Sequence, residues 1–286
     1  MTKNILITGE SGYIGKMFES YVKLDSSNYK IDRISVRDSQ WKNIDFSKFD
    51  CVLHLAAIVH SKKIDENVYK ETNIDLTLEL ATKAKKEGVA QFVFLSTMAV
   101  YGNWGGISRE INKSTLPMPN DNYGRSKYDA ETGLSKLLQN SSTTLSIIRP
   151  PMVYGKDSVG NYKRLSKIAK SSPIFPHIDN ERSMIHIDNL CEFIKRIIDN
   201  KDSGVFFPQN KEYVNTSELV TSIAMVNGKQ IILTKNFNVI LKPLIKRVSL
   251  FNKVFGSLKF DKRLSEYKDN YRVVSFEESV KRTELD

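Results

Sequence analysis

Cysteine is nearly absent from this 286-residue chain, which has only Cys51 and Cys191. The two stand far apart and show no metal-ligand spacing. That excludes a disulfide framework and a cysteine-built metal site. Both are expected to be reduced and buried, as in a cytoplasmic protein. Histidine is scarce as well. His54, His60, His177 and His186 show no metal spacing, so no metal is expected and none of the four is assigned catalysis. Trp41 and Trp104 read as packing or loop anchors. No apolar run reaches transmembrane length. The opening MTKNILITGE has neither the n-region nor the h-region of a signal peptide. These absences predict a cytoplasmic protein. There is no internal repeat and no low-complexity segment.

What is present is an ordinary globular composition, 40% hydrophobic and 27% charged. Such a chain can bury a substantial core in one large domain or two closely joined ones. The net charge is +10, and it is uneven. Between Gly228 and Arg272 eleven Lys or Arg face three acidic residues, which is +8 of the total. A phosphate-bearing substrate, an anionic membrane surface, nucleic acid or a solvated basic face would each account for this.

The first half alternates strand and helix signals. Short apolar runs at Ile5–Ile7, Cys51–Leu55, Gln91–Leu95 and Leu145–Ile148 suit strands covered on both faces. Lys30–Val36 reads as a further strand. Tyr13–Lys23, Asn67–Lys86 and Asn122–Leu138 read as helices, the second with Ile74, Leu78 and Ala81 on one face. This order predicts an α/β fold, a doubly wound parallel sheet of Rossmann type. After Arg149 the texture changes, with Pro150, Pro151, Pro173 and Pro176 breaking the pattern. Asn189–Asp199 is apolar at helical spacing. Val239–Phe255 is amphipathic, with lysines opposite its apolar side. A helix packed on the core is the favoured reading of it, and a membrane-surface helix the alternative.

TGESGYIG follows the first strand and opens a helix. Gly9, Gly12 and Gly15 allow a sharp turn and a close approach to a pyrophosphate, at a helix N-terminus that offers N–H groups and a positive dipole end. Tyr13 and Ile14 lie in the same turn. At the end of the second strand an acidic residue would hold an adenosine ribose, as NAD requires. The chain reads ISVRD there, and Arg37 can pair with a 2′-phosphate. That predicts NADPH. NADH is the alternative, because Asp38 is one residue away.

YGRSK places Tyr123 and Lys127 on one helical face. Beside a nicotinamide such a Tyr can act as a general acid if its pKa falls, and a nearby ammonium favours phenolate. A further hydroxyl must fix the substrate oxygen. LSTMAVYG supplies Thr97 or Ser96 at the carboxyl edge of the sheet.

TGESGYIG, HLAA (54–57), STMAVYG (96–102), YGRSK and RPPMVYG (149–155) occur in this order, over about the first two-thirds of the chain. Together they resemble the extended short-chain dehydrogenase/reductase family that acts on nucleotide sugars. The resemblance implies Thr97, Tyr123 and Lys127 as catalytic, with Thr97 in register and Ser96 one residue off. It implies that Leu55, Ala56, Ala57, Pro150 and Met152 line the cofactor, and that Asn73 supports the site. ERSMIHIDNL resembles the segment whose Arg meets the nucleotide diphosphate, which is Arg182 here. Asn161 is a second candidate for that diphosphate. Relatives that are 4,6-dehydratases carry an Asp–Glu pair directly after the Thr. Here Met98 and Ala99 stand there, so dehydration is not expected.

The pattern is most similar to reductases of capsular or O-antigen precursors. It implies NADPH-dependent reduction of the C4 ketone of a UDP-4-keto-6-deoxy-N-acetylhexosamine. The alternative is a 4-epimerase of UDP-hexoses or UDP-N-acetylhexosamines with tightly held NAD, and a more distant one a non-catalytic dinucleotide-binding protein. The expected division is 1–155 for the dinucleotide, with 184–203 returning to it, and 156–286 for the substrate. Expected partners are a UDP-sugar and a second copy in a homodimer, through Asn67–Lys86 and Asn122–Leu138, but no nucleic acid. Weak peripheral membrane contact would fall to the basic C-terminal part.

Overall fold

The computed structural model describes residues 2–24, 28–59, 65–102, 109–236, 238, 252 and 255–285. The chain divides into two compact units, Met1–Gly102 with Pro117–Pro150 and Cys191–Phe207, and Asn103–Leu116 with Pro151–Leu190 and Pro208–Asp286.

The first unit is built on a six-stranded sheet, parallel at every pairing. Its order is Gly204–Phe206, Thr144–Ile148, Gln91–Leu95, Cys51–His54, Lys3–Thr8 and Tyr29–Ile34. The chain starts in the interior of the sheet and winds outward both ways, which is the doubly wound order. The uniformly apolar runs occupy the middle strands. Ile5, Leu6, Ile7, Val52, Leu53, Phe92, Val93 and Phe94 are all inaccessible to solvent. Covered on both faces, such strands have no polar side to present. The edge strand Tyr29–Ile34 alternates instead. Gly204–Phe206 has no strong sequence signal, since it is three residues long and half exposed.

Helices Tyr13–Lys23 and Asn122–Leu138 have the ends their sequences predict. Asn67–Lys86 does not form one regular helix. It runs as Glu66–Tyr69, a π-helical turn Lys70–Asp75 and Leu76–Lys86. A π-turn inserts an extra residue into the helix and rotates the turns beyond it. The buried stripe is therefore Thr77, Leu80, Ala81 and Ala84, and the predicted Ile74 and Leu78 are only partly covered. The inserted turn aims Asn73 inward, where it is 1% exposed.

Among its described residues the second unit has three two-stranded parallel ladders. They pair Met152–Tyr154 with Met184–His186, Ile174–Pro176 with Ile232–Thr234, and Arg109–Ile111 with Leu258–Phe260. Helices Asn161–Ser171, Thr216–Val226 and Phe276–Leu285 pack over a core that includes Tyr162, Leu165, Leu219, Ile223 and Val280. Most of Val239–Phe255 lies outside the described residues. Phe255 packs against this core, its ring 5.8 Å from that of Phe175. Trp104 and His60 also lie outside the described residues.

Candidate active site

Three segments meet at the carboxyl ends of the middle strands. The first is the glycine turn. Gly9 has φ +98°, a left-handed conformation that a side chain disfavours. A Cβ there would also lie 3.1 Å from the Ala56 backbone nitrogen. The turn is thus pressed against Leu55–Ala57, the stretch that leaves the strand Cys51–His54. A Cβ on Gly15 would likewise meet Ile7 and Leu55. Tyr13 and Ile14 open the helix. Its N-cap Gly12 makes no side-chain capping bond, and its first turn has no acid. Small residues, a positive helix end and a first helical turn without an acid fit a dinucleotide pyrophosphate. Arg37 lies exposed three residues beyond the second strand, its amide donating to Ser35 Oγ at 3.3 Å. Asp38 is engaged as a cap: its carboxylate accepts from the Gln40 amide at 3.0 Å.

The second segment comes after Gln91–Leu95. The Ser96 amide donates to Ile148 O at 2.7 Å and the Met98 amide to Pro150 O at 2.9 Å, so the strand end stays fixed past its last ladder pair. Thr97 caps the 3₁₀ turn Met98–Tyr101, accepting from the Ala99 amide at 3.1 Å. Its side chain is also hydrogen-bonded to Tyr123. Ser96 points elsewhere. Its hydroxyl donates to the Glu131 carboxylate. That carboxylate also holds Arg149 through Nε at 3.0 Å and Nη2 at 2.5 Å, while Arg149 Nη1 donates to Tyr101 Oη at 2.7 Å. The network is buried and occupies Ser96, which leaves Thr97 as the hydroxyl beside Tyr123.

The third segment is the helix Asn122–Leu138. Asp121 caps it, its carboxylate accepting from the Gly124 amide at 2.7 Å. Gly124 lets the helix approach the Met98–Tyr101 turn, since a Cβ there would lie 2.5 Å from Ala99 O. Burial pushes the Tyr123 phenol up to about 12, against the hydrogen bond from Thr97, which favours phenolate. The expectation that Lys127 draws this pKa down is not met. The charge beside the phenol is Asp121, of the wrong sign to help. Lys127 is itself 2% exposed, its Nζ 3.9 Å from the centre of the Phe94 ring. Burial drops its pKa to about 7, with Glu131 opposing that fall.

Asn73 joins these segments from below. Its Oδ1 accepts from the Ile58 amide at 2.8 Å, and its Nδ2 donates to Ile58 O at 3.0 Å and to Ser126 Oγ at 2.9 Å. The Glu131–Arg149 pair and Ser126 escaped the sequence reading. YGRSK holds Ser126 in plain sight, but nothing in the sequence pairs Glu131 with Arg149.

The remaining candidates belong to the second unit. Met152 begins a strand and Asn161 begins a helix. Arg182 donates through Nη1 to Gly256 O at 2.5 Å and Asn252 O at 3.4 Å. Among the described residues no carboxylate pairs with it, and burial lowers its pKa to about 10. A cation held only by carbonyls suits an anionic ligand. Among the described residues no His, Cys, Asp and Glu cluster could hold a metal. No helix among them is long and apolar enough to cross a membrane.

A parallel doubly wound sheet with a glycine turn at its carboxyl edge is the frame of a dinucleotide-binding domain. The family model described as "NAD dependent epimerase/dehydratase family" matches residues 5–207. The chain belongs to that family. It is 30% identical over 255 residues to a UDP-glucose 4-epimerase of Vibrio cholerae, covering 80% of this chain and 77% of that protein. It is 30% identical over 250 residues to an N-acetyl-alpha-D-glucosaminyl-diphospho-ditrans,octacis-undecaprenol 4-epimerase of Escherichia coli O157:H7, covering 81% and 74%. Among solved structures, a UDP-glucuronic acid 4-epimerase of Bacillus cereus shares the fold, with TM-score 0.73 at 20% identity over 98% of this chain and 94% of that one.

Proposed function

We propose that the protein inverts C4 of a UDP-linked hexose or N-acetylhexosamine, with NAD retained through the cycle. The observation that carries this is the hydrogen-bonded Thr97–Tyr123 pair, with Lys127 on the next turn of the same helix. Gly9, Gly12, Gly15, Leu55, Ala56, Ala57, Pro150 and Met152 would hold the dinucleotide. When bound, its nicotinamide supplies reversible hydride acceptance and, oxidised, a positive charge. Tyr123 takes the O4 proton as the C4 carbonyl forms and returns it as the alcohol re-forms. Burial alone disfavours the phenolate this needs, and a positive charge nearby restores it. Thr97 donates to O4 and stabilises the developing alkoxide. Lys127, poised near neutrality, holds ribose hydroxyls. Arg182, with Asn161, would meet the diphosphate. Met98 and Ala99 have no proton to give, so elimination of water is outside this repertoire. Two relatives at 30% identity are 4-epimerases, one of UDP-glucose and one of an undecaprenol-diphosphate-linked N-acetylglucosamine, which supports C4 inversion over the reduction suggested by sequence pattern.

The reductase keeps one observation in its favour. Arg37 is exposed three residues beyond the second strand while Asp38 is spent on a cap. That favours NADPH, and NADPH suits reduction of a UDP-4-keto-6-deoxy-N-acetylhexosamine. One experiment separates the two. The purified protein is analysed for bound dinucleotide, then incubated with UDP-glucose, with UDP-N-acetylglucosamine and with the 4-keto sugar plus NADPH, and the products are read by NMR. Co-purifying NAD and C4 inversion are expected. A cofactor-free protein that turns over only the 4-keto sugar overturns the epimerase reading.

A further inference from the structure

Beneath the site runs a chain of hydrogen bonds whose direction can be worked out. Thr77 Oγ1 donates to the Asn73 carbonyl at 2.8 Å. A threonine hydroxyl has one proton. Towards His54 Nε2, also 2.8 Å away, Thr77 can therefore only accept. His54 must carry its proton on Nε2. Its Nδ1 then accepts from Thr8 Oγ1 at 2.6 Å. The opposite tautomer would set the Asn73 and Thr77 oxygens 2.8 Å apart with no proton between them. The ring is fully buried and stacks on Phe94, with centroids 5.8 Å apart. Burial, aided by the Lys127 charge, holds it neutral.

Past Asn73 the chain continues through the side chain. Asn73 Nδ2 donates to Ser126 Oγ at 2.9 Å, and Ser126 Oγ donates to the Tyr123 carbonyl at 2.9 Å. One end is thus Thr8, directly before the Gly9 turn. The other is the backbone of Tyr123.

We propose that His54 is a positioning residue: as the Nε2-protonated ring it ties the first strand to the π-turn, and through Asn73 and Ser126 it fixes the placement of Tyr123. Tyr123 as the proton-transfer group rests on the function proposed above, but the network itself does not. The sequence assigned His54 nothing, because neither partner is near it in the chain.

The test uses the full chain. Histidine is labelled with ¹⁵N, and the two-bond ¹⁵N–¹H pattern of His54 is recorded from about pH 6 to about pH 8. A neutral Nε2–H pattern, constant over that range, is expected. An Nδ1–H pattern or a titrating ring overturns the proposal. Tyrosine is then labelled with ¹³C at Cζ, and Tyr123 is followed in His54→Phe and His54→Gln. Phe keeps the stacking and loses both bonds, whereas Gln keeps one donor and one acceptor. The Tyr123 resonance and its titration midpoint should move in His54→Phe and largely return in His54→Gln. Thr77→Val should reproduce the shift, and the double variant should add little to it. Thr77→Val alone decides if His54→Phe does not fold. An unmoved Tyr123 in a variant that still binds dinucleotide overturns the proposal. In wild type that turns over a nucleotide sugar, His54→Phe should lower kcat about tenfold with KM nearly unchanged, since small displacements of a reacting group are costly. A wild type inactive on every such sugar refutes the proposed function, and the two NMR measurements still decide the network.

Discussion

Replacing Gly124 with Ala adds one methyl group at the tightest point of the candidate site. The new Cβ would stand 2.5 Å from the Ala99 carbonyl oxygen and 3.1 Å from its carbon. Real Cβ atoms essentially never come closer than 3.0 Å, so helix and turn must part by at least about half an ångström. Both sides of the contact are backbone, and no rotamer change relieves it. Overpacking of this kind costs about 1–3 kcal/mol. Ala in place of Gly in a helix returns at most about 1 kcal/mol. The balance lowers Tm by a few degrees, at about 2–4 °C per kcal/mol for a chain of this size. Turnover should suffer more. Tyr123 immediately precedes Gly124, and Ala99 is two residues from Thr97, so the displacement falls on the Tyr123–Thr97 hydrogen bond. A misplacement of 1 Å costs about 10²-fold, so half of that predicts about tenfold in kcat. Gly133→Ala, further along the same helix, is the control. Its Cβ would meet Leu78 Cδ2 at 2.9 Å, the far end of a side chain that can rotate away. It should leave kcat unchanged and Tm unchanged or slightly raised. Steady-state kinetics and thermal melts of both variants check this. Wild-type kcat and Tm in Gly124→Ala, or equal losses in both variants, would show that the Gly124–Ala99 contact does not govern the placement of Tyr123.

Tyr123→Phe should lower kcat by about 10²–10⁴-fold while dinucleotide affinity stays near wild type, measured by titration calorimetry beside turnover. Lys127 has a folded-state pKa of about 7 against an ordinary 10.5. Between those values the unfolded chain holds the extra proton, so stability rises with pH across that window. Below it both states are protonated, and the folded state bears the whole cost of a buried ammonium. Lys127→Met should therefore raise the urea midpoint of the ligand-free protein most below pH 7, with the gain fading towards pH 10.5. A gain that grows with pH would contradict this. Arg149→Met strands the Glu131 carboxylate, and breaking such a buried pair costs about 3–5 kcal/mol. Arg149→Met combined with Glu131→Leu should recover much of that loss in urea denaturation, because no charge is then left buried alone.

The middle strands of the sheet were legible in the sequence. Parallel strands covered on both faces favour apolar side chains, so Ile5–Ile7, Cys51–His54 and Gln91–Leu95 announce themselves by composition. By itself the sequence also determined the glycine turn and the helix of Tyr123 and Lys127, since backbone φ and helical spacing are local properties. Tertiary structure decided the rest. The break in Asn67–Lys86 depends on Asn73 finding Ile58 and Ser126, which lie on other segments. Ser96 rather than Thr97 turns inward because a Glu and an Arg far from it in the chain wait there. The protonation of Tyr123 and Lys127 is set by burial, which residue identities cannot express. For the same reason the sequence assigned His54 no role. Its partners Thr8 and Thr77 come within reach only when the first strand, the third strand and the helix behind them are packed together.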